Sequence, residues 1–144
     1  PVKEELYFAM EGLGSYKISW NSTIEDLEDL ISNSDKLPID YNRINYVIVG
    51  SRSHMSAETK EFFEDKKKEH GNVEVMAVGS SLKLCMLAEG KADAYPRYAP
   101  TMEWDTGAGD AICRMAGFQV LQYNTDKSVE YNKENLLNPW FLVK

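Results

Sequence analysis

From residue 46 onward, short β-type runs alternate with helical patterns, and no other feature restricts the fold of this chain so strongly. Strands are expected at 46–50, 73–78 and 92–95, and helices at about 56–69, 80–89 and 103–116, the first of them with Phe62 and Phe63 turned inward. Strands interleaved with helices give an α/β domain, a mostly parallel sheet flanked by helices. Ligands of such sheets bind beyond the carboxyl ends of the strands, so polar residues at those positions carry the functional reading.

Three clusters fall there. After the first strand comes Gly50-Ser51-Arg52-Ser53-His54, whose hydroxyl, guanidinium and imidazole groups can donate to phosphate or ribose oxygens, and which can equally be a solvated loop with Ser56 as the cap of the next helix. After the second comes Gly79-Ser80-Ser81-Leu82-Lys83 at the start of an apolar helical run (Leu84-Cys-Met-Leu-Ala88). Free N–H groups at a helix start suit an anion, and a lysine in a helix that is apolar nearly all round is costly unless paired, which favours a functional Lys83. The third cluster is Tyr95-Pro96-Arg97, followed by Glu103-Trp104-Asp105 at the start of the last helix.

On a helical wheel Trp104, Ala108, Ala111, Ile112 and Met115 form a core-facing stripe with Asp105 at its edge, its carboxylate leaning back toward the strand end and the first-turn N–H groups. Anions and metal ions are handled there, although an acid in that position can also serve only the helix dipole. Gly107 and Gly109, costly inside a helix by about 1 kcal/mol each, point to close backbone approach. Asp110 lies about 140° round the wheel from Asp105 and is not read as a second metal ligand. His70 before Gly71 reads as a helix terminus, and Lys66–Lys68 as a solvated face.

A chain of 144 residues that is 43% hydrophobic can bury one core, and a net charge of −7 argues against a nucleic-acid polymer or an anionic membrane as partner. A small anion held by local cations or a metal stays open. Cys85 and Cys113 read as buried free thiols of a reducing compartment, and without a signal peptide or transmembrane run a cytoplasmic location is expected.

Before residue 46, Leu6, Phe8 and Met10 alternate with Tyr7 and Ala9, and Tyr16, Ile18 and Trp20 with Ser15, Lys17 and Ser19, across a turn at 12–14. This is an antiparallel hairpin with an apolar face that needs a larger sheet. The chain opens on Pro1 rather than Met and is expected to be the carboxy-terminal part of a longer protein. Ser22-Thr-Ile-Glu25 reads as a capping box for a helix with Ile24, Leu27, Leu30 and Ile31 on one face. The expected division is 1–21, a hairpin remnant of an amino-terminal sheet, and 22–144, the α/β domain.

Ala-Asp-Ala-Tyr-Pro-Arg-Tyr-Ala-Pro-Thr-Met-Glu-Trp-Asp-Thr-Gly-Ala-Gly (92–109) resembles the carboxy-terminal signature of the inositol monophosphatase superfamily, and its Tyr-Pro-Arg and Glu-Trp-Asp-Thr forms are similar to the bisphosphate nucleotidase branch. The resemblance extends over nearly the whole chain, through Ser-Arg-Ser-His (51–54), Gly-Ser-Ser-Leu-Lys (79–83) and an ending from Tyr131 to Val143. It implies that Asp105 is a ligand of a catalytic magnesium cluster. It implies also that Ser53, His54, Gly79, Ser80, Ser81, Lys83, Tyr95 and Arg97 approach the substrate. Inositol monophosphatases usually carry a glutamate near the Arg97 position, so arginine there favours a second phosphate.

The implied activity is Mg²⁺-dependent hydrolysis of adenosine 3',5'-bisphosphate to AMP and phosphate. The family's other metal ligands, a Glu-Glu pair and Asp-Pro-(Leu/Ile)-Asp-Gly-Thr, are absent here, so the chain alone is expected to be inactive. Gly107 replaces the family's usual alanine and Asp110 a frequent histidine. Expected partners are a small nucleotide bisphosphate and the amino-terminal half of the same protein, with a homodimer left open. An inositol or sugar monophosphatase, and a non-catalytic nucleotide-binding or interaction module, are the competing readings.

Overall fold

In the computed structural model, which describes residues 2–19, 23–50 and 55–144, a hairpin comes first. Strands β1 (Glu5–Met10) and β2 (Gly14–Ser19) pair antiparallel with Leu6 opposite Ile18 and Phe8 opposite Tyr16, and a two-residue strand β3 (Asp35–Lys36) adds to β2. Both faces of the hairpin are used. Phe8 stacks on Tyr16 at 5.3 Å on the expected apolar face. Tyr7 and Ala9, from the other, pack against the main core. Met10 is 38% exposed, and Trp20 lies outside the described residues. The small Ala9 and the fully buried Ser15 are what make the second face able to accept a helix.

Helix α1 (Leu27–Ser32) begins later than the capping-box reading had it. Asp26 is its cap, accepting from the Asp29 amide, and Ser22 lies outside the described residues. No α1 residue is fully buried.

The alternating part follows. Strand β4 (Tyr46–Val49) leads to α2 (Ala57–His70), β5 (Val73–Met76), α3 (Leu82–Ala88), β6 (Tyr95–Arg97), α4 (Glu103–Met115), β7 (Val120–Gln122) and β8 (Phe141–Val143). β5 pairs parallel with β4, and Ile48 bridges to Ala94 in parallel beside β6. β6 and β7 each pair antiparallel with β8. The continuous order is therefore β5-β4-β6-β8-β7, in which only β8 runs against the rest.

This topology sets the layers. The chain steps one way from β4 to β5 and back the other way from β5 to β6, so right-handed crossovers put α2 and α3 on opposite faces. α3 and α4 pack together on one face, and α4 also touches β1 and β2, so the helix pair is sandwiched between the two sheets. α2 lies against β5 and β6, with Phe62 edge-on to Tyr98 at 6.3 Å.

Side chains alternate across the sheet accordingly: Val47 and Val49 join the core with Leu84, Leu87, Cys113, Phe141 and Val143, while Ile48 faces the other way. Each such large side chain contributes roughly 1.5–3 kcal/mol by burial. Cys85 and Cys113 are buried free thiols, Cys113 bonding to the Leu84 carbonyl at 3.2 Å.

The buried face of α4 differs from the wheel reading. It consists of Thr106, Gly109, Asp110, Ile112 and Cys113, with Ala116 just beyond, whereas Trp104 is 69% exposed and Ala108, Ala111 and Met115 point outward with it. The reason is close packing. A Cβ at Gly109 would lie 2.4 Å from Leu84 Cδ1 and 2.9 Å from Leu84 Cβ, so small residues face α3 and the bulky ones are turned away. At Gly107 a Cβ would meet the Tyr131 ring at an ordinary 3.6 Å, so the close approach expected at both glycines exists at Gly109 alone. Among the described residues no helix is long and apolar enough to cross a membrane.

Candidate active site

From the carboxyl ends of β5 and β6 the chain runs into α3 and α4, and a crevice opens between these two connections. A cavity of about 210 Å³ lies there, lined by Ser80, Ser81, Lys83, Leu84, Tyr95, Arg97, Thr101, Asp105 and Thr106. It draws on the β5–α3 turn, on β6 and on the first turn of α4. Ser80 takes a left-handed φ of +45°, which turns the chain sharply into α3.

Asp105 owes its placement to a missing cap. Met102, in the cap position of α4, has no oxygen on its side chain to serve the first-turn amides. The reciprocal half of a capping box is present: Asp105 Oδ2 accepts from the Met102 amide at 2.9 Å. The carboxylate does lean back along the helix, and among the described residues its Oδ1 accepts no hydrogen bond.

The cations opposite are poorly matched with acids. Burial pulls the Lys83 ammonium below its ordinary pKa, and repulsion from Arg97 lowers it further. Lys83 Nζ sits 5.7 Å from the Tyr95 ring centroid, and no carboxylate among the described residues pairs with it. Arg97 donates from Nη2 to the Pro100 carbonyl at 3.2 Å, while its buried Nε has no partner among the described residues. In a chain of net charge −7, two neighbouring cations facing a polar cavity make a local site for an anion.

Of the residues read from the sequence, Ser80, Ser81, Lys83, Tyr95, Arg97 and Asp105 meet at this cavity. Gly79 does not line it and has open space where a Cβ would stand. Ser53 and His54 lie outside the described residues. Thr101 and Thr106 line the cavity and were not singled out; Thr106 directly follows Asp105 and, at 5% exposure, turns inward. His70 closes α2 ahead of Gly71, whose φ is +74°, and stacks on Tyr46 at 4.0 Å, away from the cavity.

As to metals, among the described residues no three His, Cys, Asp or Glu side chains come together. Asp105 offers the carboxylate oxygen that magnesium favours, with Oδ1 accepting no hydrogen bond among the described residues, so its chemistry fits a single metal ligand.

The chain is similar to known proteins over its whole length. It is 37% identical over 144 residues to the 3'(2'),5'-bisphosphate nucleotidase CysQ of Shigella flexneri, covering 99% of this chain and 51% of that one. It is 43% identical over 98 residues to its namesake in Escherichia coli K12, covering 67% and 38%. The crystal structure of CysQ from Bacteroides thetaiotaomicron, described as a bacterial member of the inositol monophosphatase family, superposes with a TM-score of 0.91 at 51% identity, covering 100% of this chain and 55% of that one. The chain thus spans about half the length of these relatives. The profile of the inositol monophosphatase family matches residues 1–140, and the chain belongs to that family.

Proposed function

We propose that this chain is the carboxy-terminal part of a magnesium-dependent 3'(2'),5'-bisphosphate nucleotidase that hydrolyses adenosine 3',5'-bisphosphate to AMP and phosphate, in the recycling of nucleotides from sulfur assimilation. The observation that carries the reading is that Lys83 and Arg97, two cations without acid partners among the described residues, line one cavity together with Asp105. Nucleotidase relatives that match along 99% of the chain support it.

In this reading Lys83 meets one phosphate as a point charge and Arg97 meets the other with its planar fork. Ser80 and Ser81 donate to phosphate oxygens, and Tyr95 forms a wall behind Lys83. Ser53 and His54 border the nucleotide. Asp105 Oδ1 is a metal ligand while Oδ2 stays on the Met102 amide. Bound magnesium supplies an activated water and neutralises the leaving oxygen.

The remaining ligands come from an amino-terminal half whose sheet residues 1–21 extend, leaving 22–144 as the substrate-binding domain. The open edge of β1 and the outward apolar stripe of α4 (Trp104, Ala108, Ala111, Met115) are surfaces such a half can cover.

The test is phosphate release by the full-length protein from adenosine 3',5'-bisphosphate and from inositol 1-phosphate. The bisphosphate is expected to be preferred, and Arg97→Glu to raise its KM by about 30-fold or more, the cost of opposing a charge that had been paired. Preference for inositol 1-phosphate would make the protein a monophosphatase, and binding without turnover would make it a binding module.

A further inference from the structure

We propose that Asn138, seconded by Tyr131, is a positioning residue for Asp105, fixing the carboxylate from the far end of the chain. The proposal rests on the reading of Asp105 as a metal ligand.

The first turn of α4 is held by the segment before β8 rather than by its own cap. Leu137 bridges to Met102, the Leu136 carbonyl accepts from the Glu103 amide at 3.0 Å, and the Asn132 amide donates to Glu103 Oε2 at 2.7 Å. Lys133 adds its amide and its ammonium to Glu103 Oε1. At the centre is Asn138, 4% exposed. Its backbone amide donates to the Thr101 carbonyl at 2.9 Å. Its Nδ2 donates to the Met102 carbonyl and to Thr106 Oγ1, each at 2.9 Å, with Thr101 Oγ1 within reach at 3.2 Å. Tyr131 reaches Thr106 Oγ1 from the other side at 3.2 Å.

The Met102 residue is thereby gripped at both ends. Its amide donates to Asp105 Oδ2, and its carbonyl accepts from Asn138 Nδ2 at 2.9 Å and from the Asp105 amide at 3.0 Å. A shift of the carbonyl moves the amide, and the amide is the sole donor holding the carboxylate among the described residues. Both threonines line the cavity, whereas Asn138 itself does not.

Asn138 Oδ1 is buried and accepts no hydrogen bond among the described residues. The Met102 carbonyl can only accept, and it turns the donor side of the amide toward Met102.

Two variants and two readouts test this. In the 144-residue chain, Asn138→Ala is expected to speed hydrogen exchange of the Met102 amide by about tenfold, and in the full-length protein to weaken Mn²⁺ binding, read by water-proton relaxation, by about 10–100-fold, the usual effect of losing a residue that orients a ligand. At saturating metal the KM for the nucleotide is expected to stay unchanged. Tyr131→Phe keeps the ring against Gly107 and is expected to change both readouts in the same direction by a smaller factor, so it carries the test where Asn138→Ala does not fold. Unchanged Met102 exchange overturns the proposal, as does faster exchange with unchanged Mn²⁺ affinity. Undiminished Mn²⁺ binding by Asp105→Asn defeats the metal reading instead and leaves the exchange result to be judged by itself.

Discussion

Glu89, at the end of α3, is 1% exposed and still charged. Burial alone would raise its carboxyl; the ammonium of Lys91, the hydroxyls of Tyr41 and Tyr7 and the ammonium of Lys17, at 2.6 to 3.0 Å, hold it instead at about 2. Tyr7 and Lys17 come from the hairpin, so this carboxylate ties β1 and β2 to the helix layer. Its pKa is depressed from an ordinary 4.5, so its contribution is fully present above about pH 4.5 and is lost as the pH falls toward 2. The loss amounts to roughly 3 kcal/mol. Urea unfolding across that range should show a steeper fall for the wild-type chain than for Glu89→Gln, which itself costs about 3 kcal/mol at pH 7 by leaving Lys91 without its anion and Lys17 with Glu5 alone. Parallel curves would mean that Glu89 contributes nothing as a charge. In the sequence the residue is an acid after an apolar run with Lys91 two positions on, and nothing local reveals that its hairpin partners lie 82 and 72 positions away.

α4 shows what hydrophobic periodicity settles and what it leaves open. Its existence and limits, Glu103–Met115, are close to the expected 103–116. Its orientation is not, because packing against α3 selects small residues and leaves Trp104 outside, and a wheel weighted by hydrophobicity points toward the large side chains. The two helix glycines turn this into a paired prediction. Gly107→Ala gains helix propensity and meets Tyr131 at an ordinary distance, so it should raise stability by up to about 1 kcal/mol. Gly109→Ala gains the same propensity but forces its methyl into Leu84, and overpacking of that kind should cost about 1–3 kcal/mol net. Thermal unfolding of the two variants should therefore move in opposite directions, and a stabilised Gly109→Ala would show that the α3–α4 contact yields easily.

At the scale of the molecule, strand and helix order sufficed to place a crevice at the carboxyl ends of β5 and β6, because right-handed crossovers leave few alternatives; the cluster after β4 lies outside the described residues. Lys83, Arg97 and Asp105 were legible as its contents, since each stands directly after a strand or at a helix start. The ending 131–143 was legible as part of the resemblance, but the work of 131–138 on α4 was not, for it has no hydrophobic period and acts through backbone groups and one buried amide. The hairpin was legible as a hairpin, but its use of both faces depends on a helix that arrives about a hundred residues later.

The central claim is that Asp105 serves the same anion-binding cavity as Lys83 and Arg97, as a ligand of catalytic magnesium. Its most direct test is phosphate release from adenosine 3',5'-bisphosphate by the full-length protein, titrated with Mg²⁺, for wild type and Asp105→Asn. The variant is expected to fold and to lose turnover by about 10²–10³-fold or more at any Mg²⁺ concentration, the scale of removing a preorganised electrostatic contact. Wild-type turnover with an unchanged Mg²⁺ dependence would contradict it and reduce Asp105 to the cap of its helix.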